Sequence, residues 1–84
     1  MNLEKIEKPR FIKIVSGGKV LLSVGDTISL AEKFDVGRPI IDSALPSLIK
    51  DRYQAVDSVE EISKNEFRFL LSRVGDSAQR VKVI

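Results

Sequence analysis

Apolar and polar side chains alternate most clearly in two runs near the start of the chain, which two glycines separate. The runs are RFIKIVS (10–16) and KVLLSV (19–24), and Gly17 and Gly18 lie between them. This pattern predicts an antiparallel hairpin, because glycine accepts the positive φ angles that a two-residue hairpin turn requires. The turn also sets the register, with Ser16 opposite Lys19 and Val15 opposite Val20.

That register divides the side chains of the hairpin between two faces. The first face is almost wholly apolar and is predicted to be core; it carries Phe11, Val15, Val20, Leu22 and Val24, with Lys13 as its one polar member. The second face is half apolar, which is too apolar to lie wholly in water. We therefore expect a cover on the second face, either a partner protein or the middle segment of this chain through its apolar residues Ile40, Ile41, Leu45 and Leu48.

A second strand–turn–strand unit is predicted in the last third of the chain. EFRFLLSR (66–73) alternates with period two, which places Phe67 and Phe69 on a buried face, and QRVKVI (79–84) alternates again. The tripeptide VGD follows EFRFLLSR at 74–76, and it also occurs at 24–26. Glycine accepts backbone angles that other residues avoid, and the aspartate side chain can hydrogen-bond to its own backbone. Both copies are therefore predicted to be turns rather than a catalytic carboxylate pair.

The middle of the chain supports two interpretations. Ser43 or Asp42 can cap a short helix that carries Pro46 in its first turn. Residues 53–62 then form a strand paired with 66–72, or else they continue the helix as one apolar stripe. The segment 29–32, SLAE, fits both a helix capping box and a continuing strand.

These elements predict a mainly β fold, a small twisted barrel of five or six strands with a short helix in the central connection. The alternative is an α+β fold in hairpin–helix–hairpin order. The stretches GGKVLLSVGDTI and YQAVDSVEEISKNEFRFLLS resemble small SH3-like barrels, and that resemblance implies a closed barrel. The length indicates one domain over 1–84, with residues 1–9 expected as a flexible N-terminal segment.

The amino-acid composition limits the catalytic groups and metal ligands that the protein can offer. The chain has 84 residues with no histidine and no cysteine, so the commonest general base and the usual zinc ligands are absent. No carboxylate spacing fits a calcium loop. We therefore predict no enzymatic activity, no cofactor and no metal site. We also predict a cytoplasmic protein with no membrane segment, because no apolar run approaches the roughly 20 residues needed to span a bilayer.

Charge suggests a partner. The net charge of +2 is uneven, since residues 1–20 and 64–84 each carry five bases and two acids, whereas 21–63 carry four bases and eight acids. If the terminal strands are neighbours, one basic face forms, and we predict that it binds nucleic acid through Arg10, Lys13, Arg68, Arg80 and Lys82.

The sequence thus predicts a small binding module without enzymatic activity, an accessory or regulatory protein that acts on nucleic acid or within a nucleic-acid machine. The alternative is a protein-interaction adaptor or inhibitor that uses the half-apolar face, through Ile12, Ile14, Leu21 and Lys19.

Overall fold

The computed structural model describes residues 8–37, 42–74 and 80–84. In these ranges the chain is a small α+β domain with an open mixed sheet of four strands and three α-helices. The elements in chain order are β1 (Arg10–Ser16), β2 (Lys19–Gly25), α1 (Thr27–Lys33), α2 (Leu45–Arg52), β3 (Ser58–Ile62), α3 (Lys64–Leu71) and β4 (Val81–Val83), with a 3₁₀ turn at Asp42–Ala44 leading into α2.

The sheet has the strand order β3-β1-β2-β4. Strand β1 pairs antiparallel with both β2 and β3, and β4 joins β2 in parallel. The prediction of a closed barrel of five or six strands is therefore wrong for the described residues, whose sheet is open, and the SH3-like resemblance is not confirmed. The short helix predicted in the central connection is present as α2.

The predicted hairpin is confirmed in its turn and in its register. Ser16 pairs with Lys19 and Val15 with Val20 across the sheet. Gly17 and Gly18 have φ angles of 57° and 81°, the left-handed region that only glycine enters at no steric cost.

The first VGD copy does not lead into another strand. Asp26 is extended and caps α1, and its carboxylate accepts a hydrogen bond of 2.7 Å from the Ser29 N–H. A capping aspartate satisfies one of the free N–H groups that begin every helix, so the same residue that suits a turn also starts a helix. The turn predicted at Gly75 and Asp76 lies outside the described residues.

The predicted strand over EFRFLLSR is wrong, because most of it is α3. Ser63 caps this helix by accepting a hydrogen bond of 3.0 Å from the Glu66 N–H. Phe67 is 6% exposed, whereas Phe69, for which the alternating pattern also predicts burial, is 61% exposed. A helix turns about 100° per residue, so side chains two positions apart point in nearly opposite directions.

Residues 58–62 do form a strand, so the interpretation as a long helix is wrong. However, β3 pairs with β1 and not with residues 66–72, and Glu60 and Glu61 lie opposite Lys13 and Ile12. Helix α2 stops at Arg52, where the N–H of the next residue, Tyr53, still bonds to the Ile49 carbonyl.

Helices cover both faces of the sheet, so the domain has two cores. The face toward α1 and α2 buries the cluster Ile12, Ile14, Leu30, Phe34, Leu45 and Ile49. The face toward α3 buries Leu22, Ile62, Phe67 and Val81, with Phe11, Val20 and Leu70 packed against them. The apolar positions at 40 and 41 and most of the N-terminal segment 1–9 lie outside the described residues.

Candidate functional site

The structure does not bring the five predicted nucleic-acid-binding residues to one face. Strands β1 and β4 are separated by β2, so the terminal strands are not neighbours. Lys13 lies on the α3 side of the sheet, opposite Leu22, whereas Lys82 lies opposite Leu21 on the side of α1 and α2. Arg68 is on α3, and Arg80 directly precedes β4.

Arg10 is engaged within the domain rather than presented to solvent. Its guanidinium forms two hydrogen bonds to the Glu61 carboxylate, at 3.2 and 2.6 Å. It also donates to the Thr27 hydroxyl at 2.9 Å and to the Asp42 carbonyl at 2.8 Å. These contacts join β1 to β3, to the start of α1 and to the turn before α2. Arg10 therefore acts as a cross-link within the fold.

The same contacts shift the pKa values of the pair in opposite directions. The hydrogen bond from Arg10 holds the pKa of the Glu61 carboxyl below its usual value, and burial opposes this effect. The hydrogen bond to Glu61 likewise raises the pKa of Arg10. Both shifts favour the charged forms, as expected for a hydrogen-bonded ion pair near the surface.

Lys13 has acidic neighbours as well. Its ammonium lies 3.8 Å from a Glu60 oxygen and 3.9 Å from a Glu66 oxygen. By contrast, Arg68, Arg80 and Lys82 are exposed, and no ion pair to any of them occurs within the described ranges. Three of the five predicted cations are thus accessible, and they do not share one face.

The predicted protein-interaction face is largely internal. Ile12 and Ile14 are 0% and 3% exposed because α1 and α2 of the same chain pack over them. Those two side chains are therefore not available to a partner. Leu21 is half-buried and Lys19 is exposed at the hairpin end of β2. The cover predicted from the middle segment is confirmed for Leu45, whereas Leu48 is half-buried and does not belong to that core cluster.

The two helices leave part of this face open, and an apolar pocket of about 420 Å³ occupies the opening. Ile14 and Leu21 form its floor on the sheet. Phe34, Ile49 and Tyr53 form the wall from the C-terminal ends of α1 and α2, with the Tyr53 ring edge-on to Phe34 at 6.2 Å between centroids. A pocket of this volume and lining falls within the range that suits a ligand or a bulky side chain.

Lys33 and Ile84 also belong to the lining of the pocket. Lys33 donates hydrogen bonds of 3.1 Å to the hydroxyl of Ser23, a fully buried residue, and to the main-chain oxygen of Ile84. No ion pair of Lys33 with an acidic side chain occurs in the part of the chain that the structure describes. The pocket is therefore apolar, and one residue of its lining is a lysine whose ammonium is held by Ser23 and Ile84.

Two further cations lie on the same side of the sheet. Lys19 shares the face of Leu21, because alternate residues of a strand point the same way. Lys82 pairs with Leu21 across the β2–β4 ladder and so points to that face too. None of the described residues that line the pocket is acidic. We call the pocket together with Lys19, Lys33 and Lys82 the basic-rimmed pocket.

Sequence reasoning missed Lys33, Tyr53 and Ile84 as site residues. The capping-box interpretation of 29–32 pointed to the helix that forms one wall, but the pocket itself arises from tertiary packing, which the sequence does not show. Among the residues described, no group of three acidic side chains is placed to hold a metal ion. None of the described helices is long and apolar enough to cross a membrane.

The chain matches no protein-family model, and comparison with curated proteins and with solved structures finds no significant match. The function is therefore argued from the basic-rimmed pocket itself.

Proposed function

We propose that the protein is a small binding module without enzymatic activity, and that it binds an acidic segment of a partner protein at the basic-rimmed pocket. The observation that carries this proposal is the apolar pocket of about 420 Å³ whose lining includes Lys33. A partner would place a bulky apolar side chain in the pocket and acidic groups near the lysines.

Charge complementarity supports an acidic partner. Lys19, Lys33 and Lys82 lie on one side of the sheet, and the described residues that line the pocket add no acid. Opposite charges on the two partners steer the encounter and fix the orientation, while an apolar anchor in a pocket supplies most of the affinity. The two kinds of contact are adjacent here, which is the arrangement of an interface centre with a polar rim.

Nucleic acid is the second candidate, and the exposure of Arg68, Arg80 and Lys82 favours it. An accessory or regulatory role in a nucleic-acid machine fits either candidate, since a protein partner can belong to such a machine. Binding to phosphates needs several cations on one surface. The placement of Arg68 and Lys82 on opposite sides of the sheet weakens this candidate relative to the protein partner.

A selection of short random peptides on the immobilised protein tests the proposal. We expect the selected peptides to carry acidic residues and one bulky apolar residue. Ile84→Asp, which places a carboxylate at the pocket, should weaken their binding at least about tenfold, the equivalent of one good contact. The matched control is Ile28→Asp, because Ile28 is also exposed but does not line the pocket.

Charge is tested separately. Lys82→Glu should weaken peptide binding, whereas Lys64→Glu, on α3 and on the other side of the sheet, should not. Fluorescence anisotropy of labelled DNA and RNA tests the second candidate. Binding that falls steeply with salt, and that Arg68→Glu and Lys82→Glu weaken to the same extent, would favour nucleic acid and contradict the protein partner. Failure to select any peptide would also overturn the proposal.

A further inference from the structure

Strand β4 is an outer strand of the sheet. Its inner side pairs with β2, and no strand of the described residues pairs with its outer side. An edge of this kind presents unpaired main-chain N–H and C=O groups, which can pair with a strand from another molecule.

The hydrogen bonds of β4 show which groups face outward. The Val20 N–H donates to the Arg80 carbonyl at 3.0 Å, and the Ile84 N–H donates to the Leu22 carbonyl at 2.8 Å. Main-chain groups alternate from side to side along a strand in a parallel ladder. Residues 80, 82 and 84 therefore bond toward β2. The N–H and C=O groups of Val81 and Val83 point to the other side of β4, outward in the plane of the sheet.

The two edges of the sheet differ in their side chains. The exposed positions of β3 are Glu60 and Glu61, and both carboxylates lie near cations of β1. The exposed positions near β4 include two apolar residues, Val83 at 43% and Ile84 at 38%. An edge that leaves apolar side chains exposed is the more suitable of the two for pairing with a partner strand.

The edge of β4 is also next to the basic-rimmed pocket. Ile84 directly follows β4 and lines the pocket, and Lys82 shares a face with Leu21 on its floor. In a strand added beside β4, alternate side chains would point to the pocket face, and the others would point to the face of Val81 and Val83.

We infer that the acidic partner segment binds as an additional strand, pairing through its main chain with Val81 and Val83 and placing one apolar side chain in the pocket. This inference rests on the proposed function and names the binding mode. A second copy of this chain is disfavoured as the occupant, because two β4 edges would bring the Lys82 and Arg80 charges of both copies together. An acidic strand meets the same charges with the opposite sign.

Amide hydrogen exchange, measured by NMR on the labelled full chain with a selected peptide, tests the binding mode. The Val81 and Val83 amides should exchange at least about tenfold more slowly when the peptide is bound, because each gains a hydrogen bond. The Ile84 amide, already bonded to Leu22, should change less. The Val59 and Glu61 amides of β3 provide the control at the opposite edge.

Main-chain methylation of the peptide gives the second readout. Methylation at alternate nitrogens should abolish binding, and methylation at the intervening nitrogens should be tolerated, because only every second N–H of an added strand faces β4. If Ile84→Asp weakens binding of the peptides but the exchange rates of the Val81 and Val83 amides do not change, strand addition is overturned and binding at the pocket is retained. Peptides insensitive to Ile84→Asp would overturn the proposed function itself.

Discussion

Replacing Phe67 by alanine should destabilise the domain far more than the same replacement at Phe69, two residues further along α3. Phe67 is 6% exposed among Leu22, Ile62 and Val81, and its ring centroid lies 4.9 Å from that of Phe11. Removing a buried phenylalanine side chain costs about 3–5 kcal/mol, which includes the cavity left behind. A domain of this length has a total stability of roughly 4–13 kcal/mol, so Phe67→Ala should remove a large share of it.

Phe69→Ala removes a ring that is 61% exposed. The Arg73 guanidinium lies 5.6 Å from the centroid of this ring, and a cation–π interaction at so exposed a position contributes about 0.5–1 kcal/mol. Alanine favours the helix over phenylalanine by roughly 0.5 kcal/mol, which offsets much of the cost of removing that interaction. We therefore expect a change of less than about 1 kcal/mol for Phe69→Ala.

Urea unfolding followed by far-ultraviolet circular dichroism measures the free energy of unfolding of both variants. The comparison holds when the dependence of that free energy on urea concentration is the same in each. The pair is matched in chemistry and in helix, so their difference reports mainly burial, apart from the smaller contact of Phe69 with Arg73. A loss of stability at Phe69 equal to or greater than that at Phe67 would refute the helical assignment of this segment and restore the alternating strand.

Three further predictions concern local features. Ser63→Ala should cost about 1 kcal/mol in urea unfolding, because it removes the cap of α3, and Ser63→Asp should restore that stability. Gly18→Ala should destabilise through its φ of 81°, whereas Gly25→Ala, whose added Cβ would meet Leu30 at an ordinary 3.6 Å, should be tolerated; equal losses would contradict this account. The lowered pKa of Glu61 stabilises the fold fully above the ordinary glutamate value of about 4.3, and this contribution is lost as the pH falls through the lower folded-state value. The stability difference between wild type and Glu61→Gln should therefore shrink below about pH 4, and a constant difference would show that the Arg10 pair does not titrate as described.

The hairpin could be predicted in full, because its information is local. Gly17 and Gly18 determine the turn, and the turn determines every pairing between β1 and β2. The helix α3 was missed because Phe67 and Phe69 fit a period of two, while Phe67 and Leu70 fit a helix equally well. The deciding signal was Ser63 followed by Glu66, which is a capping-box spacing.

The partner of β3 could not be predicted from proximity along the chain. Residues 66–72 are the nearest apolar run, yet β3 crosses to β1, where Glu61 meets Arg10 and Glu60 approaches Lys13. These opposite charges are visible in the sequence, but many other pairs would satisfy them equally well. Only the packing of α3 on the sheet excludes the local pairing.

The candidate site was predicted least well. The basic face was predicted on the condition that the terminal strands are neighbours, which would bring Arg10 and Lys82 together, but β2 separates their strands. Leu21 and Lys19, which the half-apolar pattern singles out, do lie on the face that carries the pocket. Lys33 has no sequence feature that separates it from other surface lysines, since its role depends on its contact with Ser23.

A sheet buried on both faces has a consequence for how the chain selects one structure. When one face meets water, a strand shifted by one residue exposes its apolar side chains, and that cost holds the alignment. Here a shift of β2 by one residue would exchange Leu21 with Leu22 between the two cores at little hydrophobic cost, but it would also move Lys19 and Ser23 to the α3 face, where Val20 now packs. The alignment is therefore held by the polar side chains of β2 together with the length of the turn at Gly17 and Gly18, so a one-residue insertion or deletion in that turn should destabilise the domain more than most single substitutions within the strands.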